Sequence, residues 1–288
     1  MKDLIIISGK GGTGKTSLAA AFASLAGSKV LCDADVDAAD LHLILDPEVK
    51  KRSDFRSGFN ADIDRDKCTE CGLCRELCRW NAINDDFEVN PIECEGCGVC
   101  VYFCPEKAIN FPENTCGEWF ISDTRFGPMV HARLGIAEEN SGKLVTLVRR
   151  EAAIMAEEKG FDLILTDGPP GVGCPVIASI GGASAVLIVA EPTLSGQHDM
   201  QRVVQLTEHF KVPAMICVNK FDLNLELTGD IENFARDNRI TWLGQIPFDP
   251  IFTKAMVRGQ TVFEYNTDSK AGNAIKKIWN NLSNELQY

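Results

Sequence analysis

Apolar residues occur along most of the chain as short uninterrupted runs, separated by longer segments with helical periodicity. Five segments of four to six residues are mainly apolar, and the first of them, residues 4–7, is rich in β-branched side chains. Runs of this length without polar alternation are typical of strands buried on both faces of a parallel sheet. The pattern predicts core strands at residues 4–7, 29–32, 161–166, 185–190 and 214–218, and the pattern of the α/β domain resumes at 118–122.

Helical segments fall between or after these strands. They are predicted at residues 17–26, 143–159, 196–210 and 229–238. Strands that alternate with helices form a parallel sheet through right-handed crossovers, with helices on both faces. The expected fold class is therefore α/β, with a doubly wound and mostly parallel sheet.

The pattern changes between residues 60 and 111, where long apolar runs disappear and eight of the twelve cysteines occur. Strand and helix patterns continue on both sides of this block, so it interrupts a larger domain and does not extend one of its ends. We expect a discontinuous α/β domain of residues 1–59 and 112–288, and a small inserted α+β domain of residues 60–111.

The chain has 288 residues, enough for one large domain or for a medium domain with a small one. A core of this size needs no disulfide bonds for stability, so the twelve cysteines require another explanation. The first apolar run is too short for a signal peptide, and none approaches the length of about 18 residues that a membrane span needs. These features predict a cytoplasmic protein, in which cysteines more often bind metal or perform redox chemistry.

Charge and amphipathicity bear on the choice of partners. The formal net charge is −12, and an acidic chain is not expected to bind nucleic acid, since phosphate backbones attract basic surfaces. Near the C-terminus an apolar stripe runs along residues 275–286 at helical spacing. A helix that lies on a membrane needs a basic opposite face, and only Lys276 and Lys277 are available. We expect this helix to pack on its own domain, without a direct membrane anchor.

The cysteine block repeats internally, with two C-x2-C-x2-C-x3-C runs offset by 26 residues. This is the bacterial ferredoxin arrangement, in which the fourth cysteine of each run ligates the cluster of the other run. Zinc sites usually have paired C-x2-4-C knuckles separated by a spacer, so zinc is the weaker alternative. The predicted ligands of two [4Fe–4S] clusters are Cys68, Cys71, Cys74 and Cys104 for the first, and Cys78, Cys94, Cys97 and Cys100 for the second.

A glycine-rich loop follows the first predicted strand and precedes the first predicted helix. It matches G-x-x-x-x-G-K-[ST], in which backbone N–H groups surround phosphate oxygens at the positive end of the helix. The motif assigns neutralisation of the β- and γ-phosphates to Lys15 and magnesium ligation to Thr16. The predicted nucleotide-binding residues are Gly9, Lys10, Gly11, Gly12, Thr13, Gly14, Lys15, Thr16 and Ser17.

A second nucleotide signal follows the predicted strand at 214–218. Asn219, Lys220, Phe221 and Asp222 match N-K-x-D, a motif whose aspartate accepts hydrogen bonds from guanine in GTPases. Asn219 and Asp222 are therefore candidate base-binding residues. On the residues alone, adenine and guanine both remain open.

The phosphate loop carries a second lysine, Lys10, and so resembles the deviant Walker A loop of the MinD, ParA and nitrogenase iron protein ATPases. In that family the extra lysine reaches phosphate across a homodimer interface, which implies a homodimer that forms on ATP binding. Asp167 resembles the Walker B aspartate, which implies a role in holding a magnesium-bound water. Asp33 and Asp35 fall in the family's first switch. The resemblance implies that one of them positions or activates the attacking water and that Asp33 contributes to the magnesium site.

With the cysteine block included, nearly the whole chain resembles MinD-superfamily ATPases that contain an inserted ferredoxin domain with two [4Fe–4S] clusters. The segment Glu191-Pro192-Thr193 also resembles the family, with no chemical role assigned to it. MinD-type ATPases use an asparagine near the position of Asn219 for adenine, which favours ATP, with GTP as the alternative. The resemblance implies a magnesium-dependent P-loop ATPase whose catalytic residues are Lys10, Lys15, Asp33 and Asp35.

Three functions are compatible with these features. The first is ATP-gated electron transfer through the clusters, by analogy with the nitrogenase iron protein. The second is maturation of metallocofactors, in which the ATPase passes iron–sulfur units or metal to a client. The third is a nucleotide-dependent positioning or regulatory switch whose clusters sense redox state. Each leaves a place for a redox or metalloprotein client.

Overall fold

The computed structural model describes residues 1–135 and 140–288. They divide into two compact units. The first contains Met1–Arg52, Trp119–Arg133 and Ser141–Tyr288, and the second contains Ser53–Glu118 and Leu134–Asn140. The boundaries expected for the inserted domain, residues 60 and 111, both fall inside the second unit.

Strands and helices alternate along the first unit as the sequence pattern predicts. The strands of the described residues are β1 (Lys2–Ser8), β2 (Lys29–Asp33), β3 (Glu48–Phe59), β4 (Asp62–Ile63), β5 (Ile109–Asn110), β6 (Glu113–Thr124), β7 (Gly127–Leu134), β8 (Leu163–Pro170), β9 (Ala185–Ala190), β10 (Ala214–Asn219) and β11 (Thr241–Ile246). The helices are α1 (Lys15–Leu25), α2 (Leu41–Leu45), α3 (Leu73–Leu77), α4 (Val99–Phe103), α5 (Ser141–Lys159), α6 (Cys174–Ile180), α7 (Leu194–His209), α8 (Leu225–Asp237), α9 (Ile251–Val257), α10 (Val262–Tyr265) and α11 (Lys270–Leu286).

Nine strands form one sheet in the order β11-β10-β9-β1-β8-β2-β7-β6-β3. The pairings from β11 through to β7 are parallel. β6 and β7 are neighbours joined by only Arg125 and Phe126, and a connection this short makes them antiparallel. The central sheet is thus mostly parallel, which confirms the predicted α/β class.

Alternate residues of β1 point to opposite faces of the sheet and enter two different cores. Leu4 and Ile6 pack in the core that includes α1, α2 and α11, whereas Ile5 and Ile7 pack in the core that includes α6, α7 and α8. All four side chains are fully buried. A strand covered by helices on both faces has no solvent side, which explains its uninterrupted apolar run. This rigid strand ends directly at the phosphate loop.

The apolar stripe of α11 is buried in the first of these cores. Ile275, Ile278 and Leu282 are at most 1% exposed, and the Trp279 ring lies 5.0 Å from the ring of Phe22. The prediction that this helix packs on its own domain is confirmed. Within residues 1–135 and 140–288, no helix has the length and apolar character to cross a membrane.

β3 lies at one edge of the sheet and was not predicted from the sequence pattern. Most of its side chains are exposed, including the basic residues Lys50, Lys51 and Arg52. Charged side chains on an edge strand oppose edge-to-edge pairing with another molecule. The same charges remove the apolar run by which the buried strands are recognised.

The second unit has a small apolar core surrounded by partly buried cysteines. β4 and β5 form an antiparallel pair with Ile63 opposite Ile109. Each cysteine run is followed by an Ala-Ile pair, and Ala82, Ile83, Ala108 and Ile109 are all buried. The sequence repeat therefore extends from the cysteines into the core of this unit.

Candidate functional site

The glycine-rich loop of residues 9–16 connects β1 to α1, which begins at Lys15. Gly12 and Gly14 adopt the left-handed conformation, with φ values of 78° and 92°. Gly14 meets a second constraint, because a Cβ atom there would lie 2.5 Å from Nδ2 of Asn219. Glycine alone satisfies both conditions without strain, so its place in the motif follows from the path of the backbone.

The remaining loop residues differ in how much space surrounds them. A Cβ atom at Gly9 would lie 2.4 Å from Cβ of Asp199 on α7, whereas a Cβ atom at Gly11 would have no atom of the described residues within 4 Å. Thr13 is buried. The Ser17 hydroxyl lies 4.0 Å from Sδ of Met256. The loop is therefore packed tightly on its Gly9 side and open at Gly11.

Lys15 of the phosphate loop forms a buried ion pair with Asp35. Nζ of Lys15 lies 3.4 Å from Oδ2 of Asp35, and the two side chains are 6% and 9% exposed. Burial raises the pKa of Asp35, and the charge of Lys15 acts against that shift. The third acid of this segment, Asp37, is exposed. The lysine assigned to phosphate thus has a carboxylate as its partner here.

Asp33, the last residue of β2, lies beside Asp167 within β8, and both are fully buried. The Asp33 carboxylate accepts hydrogen bonds from the N–H groups of Asp35 at 3.1 Å and Leu41 at 3.3 Å. Within residues 1–135 and 140–288, neither carboxylate oxygen of Asp167 accepts a hydrogen bond, although the Thr16 hydroxyl lies close enough to lower the pKa of Asp167. Burial raises the pKa of both carboxyls, and repulsion by Asp167 adds to the shift at Asp33.

This arrangement fits a magnesium ion. Mg²⁺ is bound through oxygen ligands and usually through one or two carboxylates together with phosphate and water. The two carboxylates and the Thr16 hydroxyl provide such oxygens, and the unpaired oxygens of Asp167 lack the partner that a cation or its bound water would supply. The structure therefore brings Thr16, Asp33 and Asp167 together, and their role as magnesium ligands stays a prediction.

Glu191, directly after β9, contacts two lysines of the nucleotide motifs. Its Oε2 lies 3.1 Å from Nζ of Lys10, and its Oε1 lies 2.9 Å from Nζ of Lys220. Lys220 also donates to the carbonyl oxygen of Gly12 at 3.2 Å. Burial acts to raise the pKa of Glu191, but its hydrogen bonds to Lys220 and Lys10 hold that pKa below its usual value. Sequence reasoning gave Glu191 no role, because no local pattern relates residues so far apart along the chain.

The two candidate base-binding residues lie in different surroundings. Nδ2 of Asn219 donates to the carbonyl oxygen of Thr13 at 2.8 Å, and its Oδ1 accepts from the N–H of Lys220 at 3.0 Å. Oδ1 of the exposed Asp222 accepts from the N–H of Phe248 at 2.7 Å. Asn219 is buried and joins the end of β10 to the phosphate loop. Its amide thus holds the loop in position.

The eight cysteines of the repeat line two separate pockets in the second unit. Each pocket takes three cysteines from one run and the last cysteine of the other run. The pockets enclose about 350 and 320 Å³ of space, part of it open to solvent. Among the described residues, no group of three or more histidine, cysteine or acidic side chains is arranged for a single metal ion. The first pocket contains Cys68, Cys71, Cys74 and Cys104, and the second contains Cys78, Cys94, Cys97 and Cys100.

The other four cysteines lie outside these pockets. Cys32 and Cys217 are fully buried in β2 and β10, and burial raises the pKa of Cys217 to about 12. Cys116 is buried and its thiol donates to the carbonyl oxygen of Ser57 at 3.5 Å. Cys174 is exposed at the start of α6. The two pockets are therefore lined by the cysteines of the repeat and by none of the four isolated cysteines.

Comparison with known proteins agrees with the nucleotide site. Residues 4–262 match the family of the CobQ/CobB/MinD/ParA nucleotide binding domain. The uncharacterized protein MJ0578 of Methanocaldococcus jannaschii is 32% identical over 284 residues, which cover 97% of this chain and 95% of that protein. A Caenorhabditis elegans homolog of the cytosolic Fe–S cluster assembly factor NUBP1 is 29% identical over 126 residues, or 38% of this chain and 40% of that protein.

Solved structures show the same fold. The cell division ATPase MinD of Pyrococcus furiosus has a TM-score of 0.59 and 20% identity, over 99% of each chain. The septum site-determining protein MinD of Pyrococcus horikoshii, solved with Mg-ADP, has a TM-score of 0.59 and 18% identity, over 98% of this chain and 95% of that one. At these identities the likeness is one of fold.

Proposed function

Because the chain belongs to the CobQ/CobB/MinD/ParA nucleotide-binding family, we propose that it is a magnesium-dependent ATPase whose inserted ferredoxin-like domain, residues 60–111, carries two [4Fe–4S] clusters. In this proposal ATP hydrolysis gates electron transfer through the clusters. The observation that carries it is the pair of four-cysteine pockets, each drawn from both runs of the repeat. They occur in a chain with a complete phosphate loop.

In the proposed mechanism the phosphate loop binds the triphosphate and the first switch orients the attacking water. Backbone N–H groups of residues 9–16, at the N-terminus of α1, bind phosphate oxygens. Lys15 leaves Asp35 and neutralises the β- and γ-phosphates. The Asp35 carboxylate, released from its ion pair, then orients the attacking water. Asp33 keeps the switch in place through its hydrogen bonds to the N–H groups of Asp35 and Leu41.

Thr16, Asp33 and Asp167 would hold Mg²⁺, which when bound neutralises charge on the β- and γ-phosphates. The protein's own contribution is the dry surroundings of the two carboxylates, both of which are fully buried. Charges interact more strongly where water is excluded. Thr16, Asp33 and Asp167 are therefore suited to a tightly held metal–nucleotide complex.

The second lysine of the loop supports a homodimer. We assign Lys10 to contact the nucleotide of a partner copy, so that two copies close on ATP. The preferred nucleotide is ATP, with GTP as the alternative. Since Asn219 is occupied by Thr13 and Lys220, its part in base recognition is indirect, through the position of the loop.

The two pockets would hold the clusters, with Cys68, Cys71, Cys74 and Cys104 in one and the remaining four cysteines of the repeat in the other. When bound, such clusters accept and donate single electrons. The N–H of Ala108 donates to Sγ of Cys104 at 3.3 Å, and hydrogen bonds to ligand sulfur tune cluster potential. Residues 60–111 contain eleven acidic and five basic residues, which favours a redox client with a basic surface.

A second candidate function is maturation of iron–sulfur proteins. The observation that favours it is the match of 126 residues to a homolog of a cytosolic Fe–S cluster assembly factor. In this function the cluster is cargo that the ATPase delivers to a client. Transfer of iron and sulfide to a cluster-free acceptor ferredoxin, measured with and without ATP, separates it from electron transfer.

The proposed function is tested by ATP hydrolysis in anaerobically purified protein, with the clusters first oxidised and then reduced. Gated electron transfer predicts that the ATPase rate depends on the oxidation state and that the clusters stay on the protein. Equal rates in both states, together with loss of clusters to the acceptor, would contradict gated electron transfer and support maturation.

A further inference from the structure

Lys10 has a second set of contacts at the N-terminus of α7. Its Nζ lies 3.0 Å from Oγ1 of Thr193, the N-cap of this helix, and 3.4 Å from Oγ of Ser195. Oγ1 of Thr193 already accepts the capping hydrogen bond from the N–H of Gly196 at 3.0 Å. A helix N-terminus carries partial positive charge, so it is an unfavourable place for an ammonium group. The lysine needs a negative partner to stay there.

Glu191 is that partner. Its Oε2 lies 3.1 Å from Nζ of Lys10, and the Glu191 side chain is only 13% exposed. The other oxygen, Oε1, is paired with Lys220 at 2.9 Å, and Lys220 is itself fixed by the carbonyl oxygen of Gly12. The carboxylate is therefore oriented by contacts that do not involve Lys10. This leaves Oε2 aimed at the lysine.

We propose that Glu191 is a positioning residue that restrains Lys10 within its own subunit and thereby sets the ATP-dependent dimerisation threshold. The inference rests on the proposed contact of Lys10 with the partner copy's nucleotide. Lys10 cannot reach another copy while it contacts Glu191 and Thr193, so these contacts stabilise the open, monomeric state alone. Contacts made in only one of two states shift the equilibrium between them.

The test is the charge-removing variant Glu191→Gln, which keeps the size of the side chain and an oxygen for Lys220. A partly exposed ion pair shifts an equilibrium by roughly threefold. Each dimer releases two such pairs, so the dissociation constant of the dimer should tighten about tenfold. Sedimentation velocity with a non-hydrolysable ATP analogue measures this constant. Glu208→Gln, at the far end of α7, is the matched control and should leave the constant unchanged.

A second variant separates Lys10 from Lys220. Lys220→Gln keeps an N–H donor to orient Glu191 but makes Lys10 the cation that pairs with it, so the dimer should weaken or stay unchanged. If both Glu191→Gln and Lys220→Gln tighten the dimer, Glu191 acts through the phosphate loop and the proposal is overturned. An unchanged constant in a Glu191→Gln protein with normal unfolding temperature overturns it as well.

Chemical labelling tests the restraint without dimerisation. In nucleotide-free monomer, the acylation rate of Lys10, measured by mass spectrometry, should rise several-fold in Glu191→Gln and stay unchanged in Glu208→Gln. An equal rate in wild type and Glu191→Gln would overturn the restraint itself. If Lys10→Ala dimerises normally with ATP, the proposed contact of Lys10 with the partner copy's nucleotide is wrong. That outcome is distinct from an equal acylation rate, which contradicts only the restraint by Glu191.

Discussion

Nδ2 of Asn219 lies 2.8 Å from the carbonyl oxygen of Thr13, so the end of β10 is tied to the phosphate loop. The bond is buried, and a lost buried hydrogen bond leaves an unpaired carbonyl at a cost of about 1–3 kcal/mol. We expect Asn219→Leu to weaken ADP and GDP binding alike, by roughly 10-fold to 100-fold. Isothermal titration with both nucleotides measures the change.

The exposed Asp222 provides the control for this prediction. Its carboxylate accepts from the N–H of Phe248 and makes no contact with the loop in the described residues. Asp222→Asn should therefore leave the phosphate-dependent part of the affinity intact. If Asn219→Leu lost ADP binding but kept GDP binding, Asn219 would not act by holding the phosphate loop. That result would favour direct recognition of the base by Asn219.

Substitution of the two lysines of the phosphate loop should have different effects. Lys15→Ala removes the charge assigned to the β- and γ-phosphates and should abolish Mg-nucleotide binding. Lys10→Ala should still bind nucleotide but lose ATP-dependent dimerisation and turnover. Equilibrium dialysis measures binding, and sedimentation measures the dimer. A Lys10→Ala protein that dimerises normally would contradict the deviant-loop assignment.

The buried carboxylate Asp167 should make the nucleotide-free protein less stable as pH rises. Burial raises the pKa of Asp167 to about 6, so folding favours its protonated form. Its stabilising contribution is full below the unfolded pKa of about 4 and is lost as pH rises through the folded pKa. In chelator and without nucleotide, Asp167→Asn should therefore unfold at a higher temperature than wild type at pH 7.5.

The difference between Asp167→Asn and wild type should shrink as pH falls through the folded pKa, and it should be smallest below pH 4, where the carboxyl is protonated in both states. Added Mg²⁺ should raise the unfolding temperature of wild type at pH 7.5 and leave that of Asp167→Asn nearly unchanged. Asp237→Asn, an exposed acid on α8, is the control. A difference that stays constant from pH 4 to pH 7.5 would exclude titration of Asp167 as its cause.

Iron analysis after anaerobic purification should give about eight iron and eight sulfide per chain, from two four-iron clusters. Replacement of one cysteine should damage only the cluster whose pocket contains that cysteine. Cys78→Ser should share its paramagnetic resonance spectrum with Cys94→Ser, and not with Cys74→Ser of its own run. Cys116→Ser, outside both pockets, should keep the full iron content. Two zinc ions without sulfide would contradict the cluster assignment.

The sequence was most informative where burial on both sides leaves a strong pattern. β1, β9 and β10 were predicted from their apolar runs, since strands between two helical layers are apolar over most of their length. β3 was missed because an edge strand carries charges, and the hairpin of β6 and β7 was missed as well. Only the structure shows where these strands join the sheet.

Some residues of the candidate site could likewise be predicted from the sequence, and others could not. Lys15 and Thr16 follow from a local motif, because the geometry of a phosphate loop is set within a few residues. Glu191 and the loop-holding contact of Asn219 depend on segments that meet only after the sheet has formed. Pairings of this kind are fixed by the order of strands, with β9 beside β1, and no residue spacing encodes them.

The exchange of Cys78 and Cys104 between the two pockets has a consequence for biosynthesis. A nascent chain that has emerged through its first cysteine run offers three thiols of one pocket and a single thiol of the other. The second ligand set is complete only once Cys100 has left the ribosome, and the first only once Cys104 has. In the proposed cluster arrangement, insertion of iron and sulfide would therefore wait for the second cysteine run, and deletion of either half would disable the half that remains.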